Sequence, residues 1–309
     1  MVPCLERLFS NNPVPEEKAM LTSVKIMIKK LKVLRLLRRE VGRLLESIRR
    51  LMNGMGNKRR CYICGRTFNY FTKFRGGNQQ TSDFRKKLDT VGSDADNFGC
   101  MYCESFDRER HLFMYFDKLN LWDRMKNQKI LHFAPEKHVQ RRIMELGPQE
   151  YVQADLFPKD AGIRKVDATE IPFSEGTFDF VIANHILEHI PHYRKALSEF
   201  FRVMRPGGVG IFQTPYSRLL ISNFEDEGIQ TDELRRYFYG QEDHVRTFGE
   251  RQFLKSLENA GFVLQRKMHG ECFDTGASYY YGVNKKEDLI MVAKPTESSP
   301  ETGGDCPEL

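Results

Sequence analysis

KILHFAP (129–135), YVQADLFP (151–158), RKVDATEIPF (164–173), GTFDFVIANHILEHIP (176–191) and RVMRPGGVGIFQTP (202–215) are the blocks that decide how this chain folds. Each is a short apolar run that closes on polar or turn residues, and segments with helical spacing lie between several of them. Strands that alternate with helices in this way imply βαβ units and a mainly parallel sheet covered by helices. Ligands of such sheets sit in the crevice outside the carboxyl ends of the strands. The residues that close the runs are therefore the candidates for chemistry: His132, Ala134, Asp155, Asp167, Asn184 and His185.

The order and spacing of these blocks resemble the class I S-adenosylmethionine-dependent methyltransferases, in the type 11-like branch. The motifs that carry the likeness are Ile171-Pro172-Phe173, Phe178-Asp179, Leu187-Glu188-His189 and Arg202 to Gly208. About half of the chain is covered. The resemblance implies an α/β, Rossmann-like, doubly wound and mainly parallel seven-stranded sheet that binds S-adenosylmethionine. By the same likeness Asp155 accepts the ribose hydroxyls, Asp167 faces the adenine amino group with the Ala168 backbone beside it, and Asn184 and His185 border the methionine part. A turn-capping role is the bland alternative for Asp155, and an orienting hydrogen-bond donor is the alternative to a general base for His185.

One block departs from that pattern. The first strand of such domains usually runs into an acidic residue and a glycine-rich loop, whereas this chain has His132-Phe133-Ala134-Pro135-Glu136. Ala134 keeps the small residue, and Pro135 has no N–H to offer. Glu136 stands at the mouth of the next helix, where a negative charge is favoured. There it either receives the cofactor's ammonium group or serves only the first helical turn. A narrower set of bacterial methyltransferase-like proteins resembles this chain in the HFAPE block, two CxxC knuckles and an Asp243-His244-Val245-Arg246 block.

Four of the seven cysteines form two pairs, Cys61 and Cys64, then Cys100 and Cys103. Paired spacing in an odd set suits a metal in a reducing compartment better than a disulfide framework. Four thiolates close a tetrahedral Zn²⁺ site with no open position, so the zinc is expected to be structural. The pairs are separated by 35 residues, more than a compact ribbon needs. Aromatic and basic residues interleave there, from Arg66 to Lys87, which fits either the core of a small module or a surface that stacks bases and binds phosphates.

Net charge is +6, but residues 1–60 carry 15 Lys and Arg against 5 Asp and Glu, a balance of +10, and the remainder sums to −4. The basic character belongs to the N-terminal arm, which weakens any claim that the main fold grips nucleic acid. From Glu16 to Met52 the arm reads as one helix, with a heptad-spaced stripe of Val41, Leu44, Ile48 and Leu51 in its second half. Three readings compete: a helix packed or solvated alone, a coiled coil that makes a homo-oligomer, and a basic membrane-surface helix. No apolar run approaches the ~20 residues needed to span a bilayer. The expected location is cytoplasmic, peripheral to a membrane if the arm binds one.

The divisions expected are a basic helical arm (1–57), a zinc module with a coupling helix (58–126), the methyltransferase domain (127–294) and a disordered acidic tail (295–309). The charged and aromatic stretch from Tyr216 to Gly240 is placed to form a lid or acceptor pocket. After it, His244 and Arg246 suit an anionic acceptor site or a helix-entry network, and His244 joins His185 as a catalytic candidate. The leading function is methyl transfer to an oxygen or nitrogen of a small-molecule or glycan-like acceptor. The alternatives are a zinc-dependent RNA-binding and RNA-modifying protein, and a catalytically silent scaffold.

Overall fold

The computed structural model describes residues 27, 35 and 38–296. Two compact units divide it, residues 1–55 and 56–309. In the first unit the described residues form a helix that runs through residue 54, two beyond the expected end. Val41, Leu44, Ile48 and Leu51 are exposed along it. The expected first turns of this helix, and nearly all of the expected tail, lie outside the described residues. No helix among the described residues is long and apolar enough to cross a membrane.

The second unit is built on a seven-stranded sheet. Its strands are β1 (Lys129–Phe133), β2 (Glu150–Asp155), β3 (Arg164–Lys165), β4 (Phe178–Ala183), β5 (Met204–Ile211), β6 (Val263–Leu264) and β7 (Met291–Ala293). They lie in the order β6-β7-β5-β4-β1-β2-β3. β7 alone runs against its neighbours; the pairs β5/β4, β4/β1, β1/β2 and β2/β3 are parallel. Strand order reverses direction between β1 and β4, and the crevice at that switch point is where a ligand belongs.

Burial on both faces explains why the central strands are mostly apolar. Leu131 and Phe133 of β1, with Val181 and Ala183 of β4, enter one core, while Ile130, Phe180 and Ile182 enter the core on the other face. All six residues of β4 are buried, as a strand covered on both faces requires. Complete burial of a side chain such as Val181 contributes about 1.5–3 kcal/mol. The helices Lys137–Glu145, Tyr193–Val203 and Glu250–Asn259 bring their apolar stripes to these cores through Val139 and Ile143, Leu197 and Phe200, and Phe253 and Leu257.

β5 pairs at Met204 with Phe178 and resumes at Val209 opposite Phe180. The residues between form a bulge, and Gly207 takes φ 76° there, a conformation glycine adopts without strain. β6 is confined to Val263–Leu264, and a single bridge between Lys267 and Leu289 joins the segment after it to the approach to β7.

The cysteine module belongs to the same unit. Its small core is Cys61, Phe68, Phe71 and Cys100. Thr90–Val91, between the cysteine pairs, adds an antiparallel strand to Tyr216–Ser217, just after β5. The helix Asp107–Lys118 is largely buried and carries Arg110 at 0% exposure. The five N–H groups of that guanidinium donate to the carbonyls of Asn97, Phe98, Ser105, Tyr281 and Gly282, and it lies over the Phe71 ring. This one side chain ties the cysteine module to the segment that precedes β7.

Candidate active site

At the carboxyl end of β1 the HFAPE block folds back on itself. Ala134 takes φ 44°, and its N–H donates to the Ala154 carbonyl. With Pro135 carrying no N–H, this loop offers acceptors where a glycine-rich loop offers donors. Fully buried His132 has Nδ1 2.9 Å from the Tyr151 hydroxyl and Nε2 2.9 Å from Glu136 Oε2. Burial first, then the Glu136 charge, raises the Tyr151 phenol above its ordinary value, so it keeps its proton and donates. That assigns the N–H of His132 to Nε2, facing Glu136. The other oxygen of Glu136 accepts from Asn184 Nδ2 at 3.2 Å. Burial pushes the Glu136 carboxyl up, but the hydrogen bond from His132 outweighs it and holds the group below its ordinary value. The structure thus brings His132, Glu136 and Asn184 into one network, with His132 behind Glu136 and the carboxylate 19% exposed.

Asp155 and Asp167 close β2 and the segment after β3. Asp155 Oδ1 accepts the Phe157 N–H at 2.7 Å, and Asp167 Oδ1 accepts the N–H and hydroxyl of Thr169. Both aspartates are turn caps, and each keeps its second oxygen outside these bonds. Ala168 is buried between them and the core. Leu156 and Phe157, which the sequence reading did not single out, present 45% and 76% of their surface next to Asp155.

The turn after β4 is held from β5. His185 takes φ 54° and donates its N–H to the Gln213 carbonyl at 2.7 Å, while Gln213 N–H donates to Asn184 Oδ1. The His185 imidazole is 3.4 Å from Glu188 Oε1 through Nδ1 and 3.9 Å from Glu287 Oε1 through Nε2. Burial would raise Glu188, yet His185, with His244 and His189 behind it, brings it down to about 2. Glu188 Oε2 also accepts from the Thr214 hydroxyl. His244 donates from Nδ1 to the Tyr239 carbonyl at 3.1 Å, and burial lowers its imidazole to about 4. Arg246 is spent structurally: it caps the carbonyls of Leu187, Ile190 and Pro191 and pairs with Glu225. The expectation that it shapes an anionic acceptor site is not met, because its fork is already filled inside the protein.

A cavity of about 450 Å³ opens over His185. His185, Pro215 and His244 line its inner part, Arg236, Gly240 and Gln241 one wall, and the segment from Phe74 to Ala95 the other, with Arg108 at the side. The second wall was missed in the sequence, where only the stretch after β5 was read as pocket-forming. Its signal was the excess length between the cysteine pairs. Most cations here are matched, Arg75 by Glu242, Lys86 by Asp83 and Arg236 by Asp232. Arg85 and Arg108 have no ion-pair partner among the described residues, and the buried Nε of Arg85 has no hydrogen-bond partner. Gly240 gives the Arg85 guanidinium room: a Cβ there would come within 2.4 Å of it.

The four cysteines converge. Their sulfurs lie within 4.8 Å of one another, with Cys61 to Cys103 at 3.6 Å and Cys64 to Cys100 at 3.8 Å. A tetrahedral ion with bonds of 2.3 Å to sulfur sets its ligands roughly 3.8 Å apart, so the cluster fits zinc without rearrangement. Most aromatic residues between the pairs pack on other rings, Phe84 against Phe224 and Phe238, Phe68 against Phe71, and Phe98 against Phe74 and Phe106, while Tyr70 is half exposed.

Residues 128–267 match a family model described as a methyltransferase domain. Over 92 residues the chain is 30% identical to a demethylmenaquinone methyltransferase of Listeria monocytogenes, covering 28% of this chain and 37% of that one. Over 130 residues it is 28% identical to a Mycolicibacterium smegmatis protein named "probable S-adenosylmethionine-dependent methyltransferase", covering 41% and 46%. The chain spans less than half the length of these relatives. An S-adenosylmethionine-dependent methyltransferase from Mesorhizobium loti superimposes with a TM-score of 0.43 and 13% identity, over 58% of this chain and 97% of that one.

Proposed function

We propose that this chain, whose residues 128–267 match a methyltransferase domain, is a class I S-adenosylmethionine-dependent methyltransferase that transfers a methyl group to a hydroxyl of a small, anion-bearing, glycan-like acceptor. The observation that supports this most is the place of His185. It follows the central strand β4, at whose end the cofactor would sit, and it also lines the cavity.

When bound, S-adenosylmethionine supplies a methyl group already activated on a sulfonium. Glu136, charged and partly open, would hold the ammonium group, Asp155 the ribose hydroxyls, and Asp167 with the Ala168 backbone the adenine. The buried ends of these residues are fixed by Asn184, His132 and the turn N–H groups, so little ordering remains to be done on binding. His185 would take the acceptor's hydroxyl proton as the new oxygen–carbon bond forms. Glu188 and Glu287 give the resulting imidazolium two counter-charges within 4 Å. Arg85 and Arg108, both lining the cavity, would hold an anionic part of the acceptor. Zinc in the cysteine cluster would have only a structural part, keeping the wall from Phe74 to Ala95 in place. An RNA-binding reading finds less support, because most of the aromatics it would stack on are packed against other rings.

The test is a transfer assay with labelled cofactor against a panel of hydroxylated acceptors with and without phosphate or carboxylate groups. The expectation is that anionic acceptors are preferred, that His185→Gln abolishes transfer while keeping cofactor binding, and that Arg85→Gln raises KM more than it lowers kcat. Transfer that survives in His185→Gln, or a preference for uncharged acceptors, overturns it.

A further inference from the structure

Beside His185, at the place where His244 lines the cavity, Glu188, His189 and His244 each bring one ligand atom to within 4.8 Å of the others. We propose that these three side chains bind one divalent first-row cation, distinct from the ion of the cysteine cluster, with its open face toward the acceptor cavity.

The bonding of each residue points to this. His244 is 97% buried, and its Nδ1 lies against the Tyr239 carbonyl, which can only accept. Nδ1 must then carry the proton. Nε2 is left with a bare lone pair, and it is buried with no hydrogen-bond partner among the described residues. Burying a nitrogen lone pair without a donor is costly, and a metal ion satisfies it. Backing of one imidazole nitrogen by a carbonyl or carboxylate is also how ligating histidines are oriented. His189 shows the same arrangement, with Nδ1 3.3 Å from both the carbonyl and the carboxylate of Asp243. Glu188 completes the set. It is 1% exposed and has no Lys or Arg partner among the described residues, since Arg246 is turned to carbonyls and to Glu225. A buried carboxylate whose positive neighbours are only histidines lacks a permanent cation.

Two imidazoles and one carboxylate suit manganese, iron, cobalt or zinc, whereas thiolates select zinc. Ligands around such an ion stand roughly 3 Å apart, and His189, with a side chain 31% exposed, is free to adjust to that spacing. The open face would meet an acceptor oxygen and make its hydroxyl more acidic, next to the imidazole that removes the proton. That role in transfer rests on the proposed function; the binding itself does not.

The probe is Mn²⁺ alone, titrated into the full-length, zinc-loaded chain and followed by electron paramagnetic resonance and calorimetry. One Mn²⁺ per chain is expected, with affinity at least about 10-fold weaker in His189→Ala and in His244→Ala. S-adenosylhomocysteine binding, measured on the same samples, should be unchanged in both variants. No bound Mn²⁺ in the parent chain, or equal affinity in the variants, overturns the site. His189→Ala decides the matter if His244→Ala does not fold, because the ring it removes is partly in solvent. Loss of S-adenosylhomocysteine binding in the parent chain would instead strike the methyltransferase reading and leave the Mn²⁺ result standing.

Discussion

Glu136 Oε2 stands 2.9 Å from His132 Nε2, across the loop that leaves the first strand of the sheet. A pair four residues apart thus replaces the acidic residue and glycine-rich loop usual at this position. The histidine fixes the carboxylate from behind, and Asn184 fixes it from the neighbouring strand. The carboxylate has lone pairs to spare after these two bonds, which suits it to an ammonium group.

Glu136→Gln is therefore expected to weaken S-adenosylmethionine binding by about 10-fold, the effect of a lost charge-assisted hydrogen bond of about 1.5 kcal/mol. The amide oxygen can still accept from one neighbour, so the melting temperature without ligand should fall by less than about 3 °C. Calorimetric titration and thermal denaturation on the same variant check this. Unchanged affinity with a large drop in melting temperature would make Glu136 a helix-entry residue only.

Zinc is expected at about one per chain in protein purified without added metal. Cys61→Ser should abolish it and loosen the module around Phe68 and Phe71, which share a core with Cys61 and Cys100. Elemental analysis decides stoichiometry, and protease digestion of the segment from Phe74 to Ala95 reports the loosening. A zinc content near zero, or one that Cys61→Ser leaves unchanged, removes the site.

The pair His111 and His269 predicts acid sensitivity. Their ring nitrogens lie 2.8 Å apart, and His269 Nε2 is 2.6 Å from the Ser278 hydroxyl. Burial first, then the charge of His111, lowers His269 from 6.5 to about 4. A histidine depressed in the fold and ordinary when unfolded gives stability that is complete above pH 6.5 and is lost as pH falls toward 4. Denaturation midpoints measured from pH 7.5 to pH 4.5 should fall over that window, and His269→Gln should flatten the fall. A parallel decline in the variant would assign the acid effect elsewhere.

The fold and the places of the strand-end residues were legible in the sequence, because strands covered on both faces are mostly apolar and close on polar residues at their carboxyl ends. Asp155, Asp167, Asn184 and His185 follow from that rule, and the two CxxC pairs announce themselves by spacing. The partners of Glu136 were not legible, since His132 looks the same whether it faces ligand or supports a neighbour. Nor was the second wall of the cavity. Thr90–Val91 pairs with Tyr216–Ser217 across more than a hundred residues of sequence, and two-residue strands leave no periodicity to read. Arg246 shows the same limit from the other side, because only the fold reveals that carbonyls of the turn after Leu187 already fill its fork.

The central claim, that the domain binds S-adenosylmethionine through the strand ends despite its altered first loop, is met most directly by calorimetric titration of the full chain with S-adenosylhomocysteine. One site per chain is predicted, weakened by roughly 1–3 kcal/mol in Asp155→Ala, the cost of leaving the ribose hydroxyls without their acceptor. No measurable binding to the folded parent chain, or equal affinity in a folded Asp155→Ala variant, would contradict it.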